Sequence, residues 1–169
     1  PSAVVIERGP VRPFHTGYAR IDNAITDALR GKSQELKDSV YDIIWSDFLP
    51  NNVHGVEETD RLARISLGVE KAAYLADQFM DEGTKASFMD AMRSIARIGM
   101  EGERVDSCHM KYHVKNVIGL DGNGYVHEDS RGEIRYAMEK YSPETYAEYQ
   151  KMLNASGEDT TESALFSLK

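Results

Sequence analysis

Residues 103–117, ERVDSCHMKYHVKNV, decide the fold. Read as a helix, they make the whole chain helical. They also carry its single cysteine, Cys108, and two of its five histidines, His109 and His113. On a helix, Val105, Cys108 and Tyr112 fall at i, i+3 and i+7, one apolar stripe. That stripe gives Cys108 the part of a small core hydrophobe. His109 and His113, four apart, share another face. Asp106 stands three residues before His109, so Asp106, His109 and His113 form a candidate metal set along one side. The competing reading makes Glu101, Glu103 and Asp106 the exposed acids of a first turn, where the helix dipole favours them, and leaves the histidines at the margin of the core.

Upstream, helical spacing continues. Ile21, Ala24, Ile25, Ala28 and Leu29 form one face, with Thr16 as a capping residue and Gly31 as the stop. Ser33 caps a second helix whose stripe is Leu36, Val40, Ile43, Ile44 and Phe48, ended by Pro50. A third runs from about 56 to 82, with Gly68 inside it. A fourth spans 85–99, with Phe88, Met92, Ile95 and Ala96 on one side, and Gly99 and Gly102 punctuate its end. Downstream, LDGNGY (120–125) is a tight turn that closes either a small hairpin or a loop between helices. Ser130 and Glu133 make a capping box for a helix with Ile134, Ala137, Met138 and Tyr141. Ser142-Pro143-Glu144 opens another, with Tyr146, Tyr149 and Leu153 on one side. The expectation is an all-α, single-domain bundle of six or seven helices. An extended arm covers 1–15, the helical domain 16–157 and a C-terminal tail 158–169.

The 169 residues suit one domain. The charge of -8, with no basic cluster, argues against nucleic acid and anionic membranes. No apolar run reaches the length of a membrane span, and the start, PSAVVIERGPVRP, lacks the apolar core of a signal peptide. One cysteine cannot close an internal disulfide, so a reducing, cytoplasmic location is expected.

Several short resemblances meet at the opening stretch. His54 stands four residues before Glu58. Together with His109 and His113 this resembles the ligand motifs of hemerythrin-like di-iron bundles, which implies iron held by His54, Glu58, His109 and His113. The likeness covers two four-residue spacings, and Gly132 stands where that family has an acid five residues after His127. SCHMKYHVKN resembles the bilin-attachment stretch of phytochrome-type domains, where a cysteine precedes a histidine. VDSCHMKYHVKNVIGL resembles the active helix of alkylhydroperoxidase-like and carboxymuconolactone decarboxylase-like proteins, but Val105 replaces the first of their two cysteines. HVKNVIGLDGNGY resembles the proximal-histidine region of globin-coupled sensors, and SVYDIIW (39–45) resembles their early distal helix. That likeness implies haem iron on His113 and Tyr41 facing bound oxygen. One short segment resembling unrelated families assigns the chain to none of them.

Other motifs fail on their chemistry. With Gly124 as the sixth-position glycine of a calcium loop, Gly119 stands first and Ser130 twelfth, and neither supplies the oxygen needed there. No phosphate-binding loop and no Gly-x-Ser-x-Gly occurs. A Cys108–histidine dyad requires the fold to bring in His54, His15 or His127. Six of nine tyrosines, from Tyr112 to Tyr149, lie in the last third and suit an interface. The apolar residues of the tail, Ala164, Leu165, Phe166 and Leu168, suggest self-association or a protein partner. Two function classes follow. The first is a small helical binding or interaction protein, or a non-catalytic subunit of a larger assembly. The alternative is a helical cofactor protein holding a transition metal or haem through His113 and His109.

Overall fold

A computed structural model describes residues 10–126. The arm up to residue 9, His127, the two helices expected after Ser130 and Ser142, their tyrosines and the tail 158–169 lie outside the described residues. Within 10–126 there are four α-helices: α1 (Ala19–Leu29), α2 (Gln34–Asp42), α3 (Glu58–Phe79) and α4 (Glu82–Met100). A π-helical turn, Ile43–Phe48, continues α2 without a break. A two-stranded antiparallel ribbon follows, β1 (Glu103–Arg104) and β2 (Met110–Lys111). The expected six- or seven-helix bundle is therefore corrected to four helices, which with the π turn make 57% of these residues, plus a small sheet.

The helices form where apolar spacing and caps agree. Ser33 Oγ accepts the Leu36 N–H at 3.2 Å, and Leu36, Val40, Ile43, Ile44 and Phe48 are all buried. Asp81 caps α4 by accepting the Thr84 N–H at 2.8 Å, so the chain re-enters a helix immediately after α3. The start of α1 differs from the expected Thr16 cap. The N-cap is Tyr18, with no side-chain cap of its own. Instead the Asp22 carboxylate reaches back to the N–H groups of Thr16 and Gly17, at 2.8 and 2.9 Å. Thr16 Oγ1 accepts the Tyr18 N–H.

The helices α1 and α3 pack on α4, and the π turn packs on both α3 and α4. Two glycines permit that approach. A Cβ on Gly68 would meet the Asp47 and Phe48 side chains at 2.8 Å, and a Cβ on Gly99 would run into the backbone carbonyl of Phe48. Phe48 is fully buried between them, a burial worth about 1.5–3 kcal/mol. Asp47 enters the same interface with 2% of its side chain exposed. It accepts from Arg64 Nε at 2.6 Å and from Lys71 Nζ at 3.3 Å. Burial pushes its carboxyl above the usual range, and the Lys71 and Arg64 charges pull it part of the way back.

The ribbon replaces the helix expected over 103–117. Asp106 is the cause. Its Oδ1 accepts the N–H groups of Cys108 and His109 at 2.7 and 2.8 Å, which reverses the chain as a side-chain-capped turn. Glu103 then pairs with Lys111, and Arg104 with Met110. A third segment joins by backbone bonds, Val53 N–H to the Cys108 carbonyl and Met110 N–H to the Asn51 carbonyl. The apolar stripe does not exist: Val105 is 56% exposed, while Cys108 and Tyr112 are half-buried on a ribbon. The 120–125 turn closes with Gly124 at φ 82° and Asp121 Oδ1 accepting two backbone N–H groups.

Replacing Asp47 by Asn removes the buried anion that Lys71 and Arg64 share and should cost about 3–5 kcal/mol of stability. Asp47→Leu with Lys71→Met removes both buried charges and should cost much less. Urea unfolding of the two variants measures the difference. An equal loss in both would show that the ion pair does not hold the π turn.

Candidate functional site

Two arrangements converge beside the ribbon. The first is Cys108 with His54. The turn at Asp106 places Cys108 beside the loop 51–56, to which its carbonyl is bonded. Its Sγ lies 3.3 Å from His54 Nδ1 and 3.5 Å from Ser107 Oγ. The thiol is free and half-buried. The backbone N–H of His54 donates to Asn52 Oδ1 at 3.2 Å. Among the described residues, no hydrogen bond orients the far nitrogen of the His54 ring, so the pair lacks the third member that steadies a catalytic imidazole.

The second is a cleft of about 460 Å³ between the π turn, the loop 50–56 and the first three turns of α3. Its walls are mainly Pro50, Val53, Val56, Ala63 and Leu67. Arg61 and Arg64 reach it from α3, with Asp60 and Asn52 at the same cleft. Arg61 is 1% exposed and already committed. It donates to Glu58 from Nε and Nη2 at 2.9 and 2.6 Å, and to the carbonyls of Gly99 and Met100 at 2.6 and 3.3 Å. A cation on the last carbonyls of α4 also complements that helix's dipole. Arg104 braces the outer wall by donating to the carbonyls of Val53 and Val56 at 3.3 and 2.8 Å. Tyr112 anchors the loop, its hydroxyl donating to the Pro50 carbonyl at 2.6 Å. Burial pushes that phenol up to about 12.

Two other cavities are less suited to a ligand with an apolar body. One, of about 430 Å³, is lined largely by polar groups such as Arg20, Asn23, Asp27 and Thr84. The other, of about 420 Å³, has Trp45 in its wall. There the ring already carries the Arg12 guanidinium 4.4 Å from its centroid and Phe14 at its edge.

The residues singled out in the sequence fall into separate pairs. His109 Nδ1 lies 3.0 Å from both Asp106 oxygens, and His113 Nε2 lies 3.1 Å from Glu103. Each of those histidines is about half exposed. With the helix gone, the shared face that was to join Asp106, His109 and His113 is gone too. Glu58 is engaged by Arg61, whose hydrogen bonds hold its carboxyl below the usual range, while His54 meets Cys108. Tyr41 is 9% exposed in the core, where burial first and Asp22 second raise its phenol. Beyond His113, Val117 is buried but Ile118 is 76% exposed, so no continuous apolar wall follows that histidine. Among the described residues, no three histidine, cysteine or acidic side chains stand together to hold a metal ion. No described helix is long and apolar enough to cross a membrane.

The groups that shape the cleft, Asp47, Arg61, Arg64 and Lys71, have no part in the sequence reading. The signal was present. Arg64, Leu67, Gly68 and Lys71 stand at i, i+3, i+4 and i+7, so two cations lie on a stripe that also carries a leucine and a glycine. Arg61 likewise shares the stripe of Ile65, Gly68 and Ala72. No protein family, curated protein or solved structure matches the chain.

His54→Ala should slow the alkylation of Cys108 by iodoacetamide several-fold at neutral pH, because the imidazole beside the sulfur is removed. An unchanged rate, measured by intact mass against time, would make the contact inert. The Asp106 carboxyl is held below its usual range, first by the Cys108 amide and then by the His109 ring and amide. A depressed carboxyl stabilises its turn above the unfolded value, about 3.9, and loses that contribution as pH falls through the lower folded value. The Cys108 and His109 amide resonances should therefore titrate together with a midpoint below about 3.9. A midpoint at or above it would show that the carboxylate does not hold the turn.

Proposed function

We propose that this chain is a small helical binding protein without chemistry of its own, acting alone or as a subunit of a larger assembly, and that it binds through the cleft between the π turn and α3. The observation that carries this reading is the cleft itself. It is concave, of a size typical of ligand sites, largely apolar in its walls, and supplied with a few fixed polar groups. Its walls are held by side chains from three separate segments: Arg104 and Tyr112 of the ribbon segment bond the loop 50–56, Asp47 of the π turn pairs with Arg64, and Arg61 of α3 bonds the end of α4. A site fixed in this way loses little freedom when a ligand arrives.

The same reading includes a protein partner or self-association. The exposed Val105 and Ile118 support it, at 56% and 76%. It excludes nucleic acid, on the acidic charge of -8. A reducing compartment, the cytoplasm, fits the single free thiol of Cys108.

Isoamyl alcohol, a neutral branched probe, should shift the amide resonances of Asn52, Val53, Val56, Ala63 and Leu67 in the full chain. Ala63→Leu, which fills the cleft, should abolish those shifts. Shifts scattered over the surface, or none at millimolar probe, would overturn the assignment of the cleft.

A further inference from the structure

The cleft has a charge pattern that narrows what it holds. Asp47 faces two cations, Arg64 and Lys71, with a single negative charge. Lys71 and Asp47 are almost wholly buried, at 3% and 2% exposure, whereas Arg64 is 36% exposed and lines the cleft. Of this trio, Arg64 is the member that reaches the cleft. Its Nε is used on Asp47, and among the described residues its two Nη groups make no hydrogen bond. The other arginine offers nothing comparable, since Arg61 is matched by Glu58 and bonded to two carbonyls.

One turn back on α3 stands Asp60, also at the cleft. Residues four apart on a helix have Cβ atoms roughly 5–6 Å apart and commonly pair when their charges are opposite. Here they do not. Among the described residues no ion pair joins Asp60 to Arg64, and the Asp60 carboxylate has no hydrogen-bond donor. The cleft thus presents the Nη groups of Arg64 without an acceptor and the carboxylate of Asp60 without a donor, one helical turn apart. Apolar wall from Val53, Val56, Ala63 and Leu67 lies around them.

That combination matches a small molecule with an ammonium, a carboxylate and an apolar body. A simple organic anion would meet Arg64 but also the Asp60 charge. A simple cation would face the reverse. A zwitterion satisfies both and leaves its apolar side chain for the walls. Resting on the reading of this cleft as a binding site, we infer that its ligand is a small apolar zwitterion, an apolar α-amino acid in free or dipeptide form, with its carboxylate on Arg64 and its ammonium on Asp60. No bond is made or broken; the charges alone orient the ligand.

Calorimetric titration of the full chain with L-leucine, L-leucyl-L-leucine, N-acetyl-L-leucine and L-leucinamide tests this. The first two carry both charges and distinguish the free amino acid from the dipeptide. The last two lack the ammonium charge and the carboxylate. Tighter binding of leucine or the dipeptide than of either single-charge analogue, by about tenfold, is expected from one lost charge-assisted hydrogen bond. Arg64→Gln and Asp60→Asn should each remove a similar factor. Asp60 is exposed and pairs with nothing described, so its variant keeps the fold even if Arg64→Gln disturbs Asp47, and a thermal melt checks both. Single-charge analogues that bind as well as the zwitterions, or an Asp60→Asn variant that binds them unchanged, would overturn the inference. If isoamyl alcohol still marks the cleft in that case, the cleft remains a binding site and only the zwitterion is lost. If neither probe binds, both readings fall.

Discussion

The carboxylate of Asp47 sits in the interior between a lysine and an arginine, and the arrangement of α3 against the π turn depends on it. A lone carboxylate could not remain charged there, because its loss of hydration is not recovered by packing. A lone lysine at 71 would be equally out of place. Each is helped by the other at contact distance, and Arg64 adds a second hold on the carboxylate, so the register of α3 against residues 43–48 is set to within one turn. The widened π turn delivers Asp47 and Phe48 to α3 together, and Gly68 provides the space to receive them. On the other side Gly99 does the same for the Phe48 carbonyl. The cleft is the outer margin of this junction. Its position follows from a packing constraint met deeper in the molecule.

The helices were legible because their sequence signals are local. Leu36, Val40, Ile44 and Phe48 announce a buried face by spacing alone, and Ser33 announces where it starts. The π turn was not legible, since one extra residue per turn leaves the apolar residues in almost the same order. Residues 103–117 went wrong for a different reason. Their spacing fits a helix, but Asp106 has a choice of partners. In a helix it would favour the first turn through the dipole, whereas here it captures the amides two and three residues ahead. The Met110 N–H and the Cys108 carbonyl that a helix would have used are then taken by the loop 51–53, far away in sequence. No local pattern contains that information.

The candidate site was legible only in part. His54 was named as a partner that the fold could bring to Cys108, and it stands 3.3 Å away. The set of Asp106, His109 and His113 needed one helical face, and the ribbon separates those residues into different pairs. Arg64 and Asp60 passed unnoticed because charged residues near the start of a long helix look like ordinary solvated surface. Their meaning comes from what they fail to do. Opposite charges one turn apart that leave each other alone are visible only once side-chain partners are known.

The bonds that brace the cleft wall also bear on the order in which the molecule forms. Arg104 reaches the carbonyls of Val53 and Val56 across 51 and 48 residues, and Tyr112 reaches Pro50 across 62. The whole of α3 and α4 lies inside that loop. Bringing its ends together carries a large entropy cost until the two helices have paired and shortened the path between them. The wall is therefore assembled late, on a helical pair already in place. If the cleft binds a ligand as proposed, parting this one wall would admit and release it with the helices left as they are.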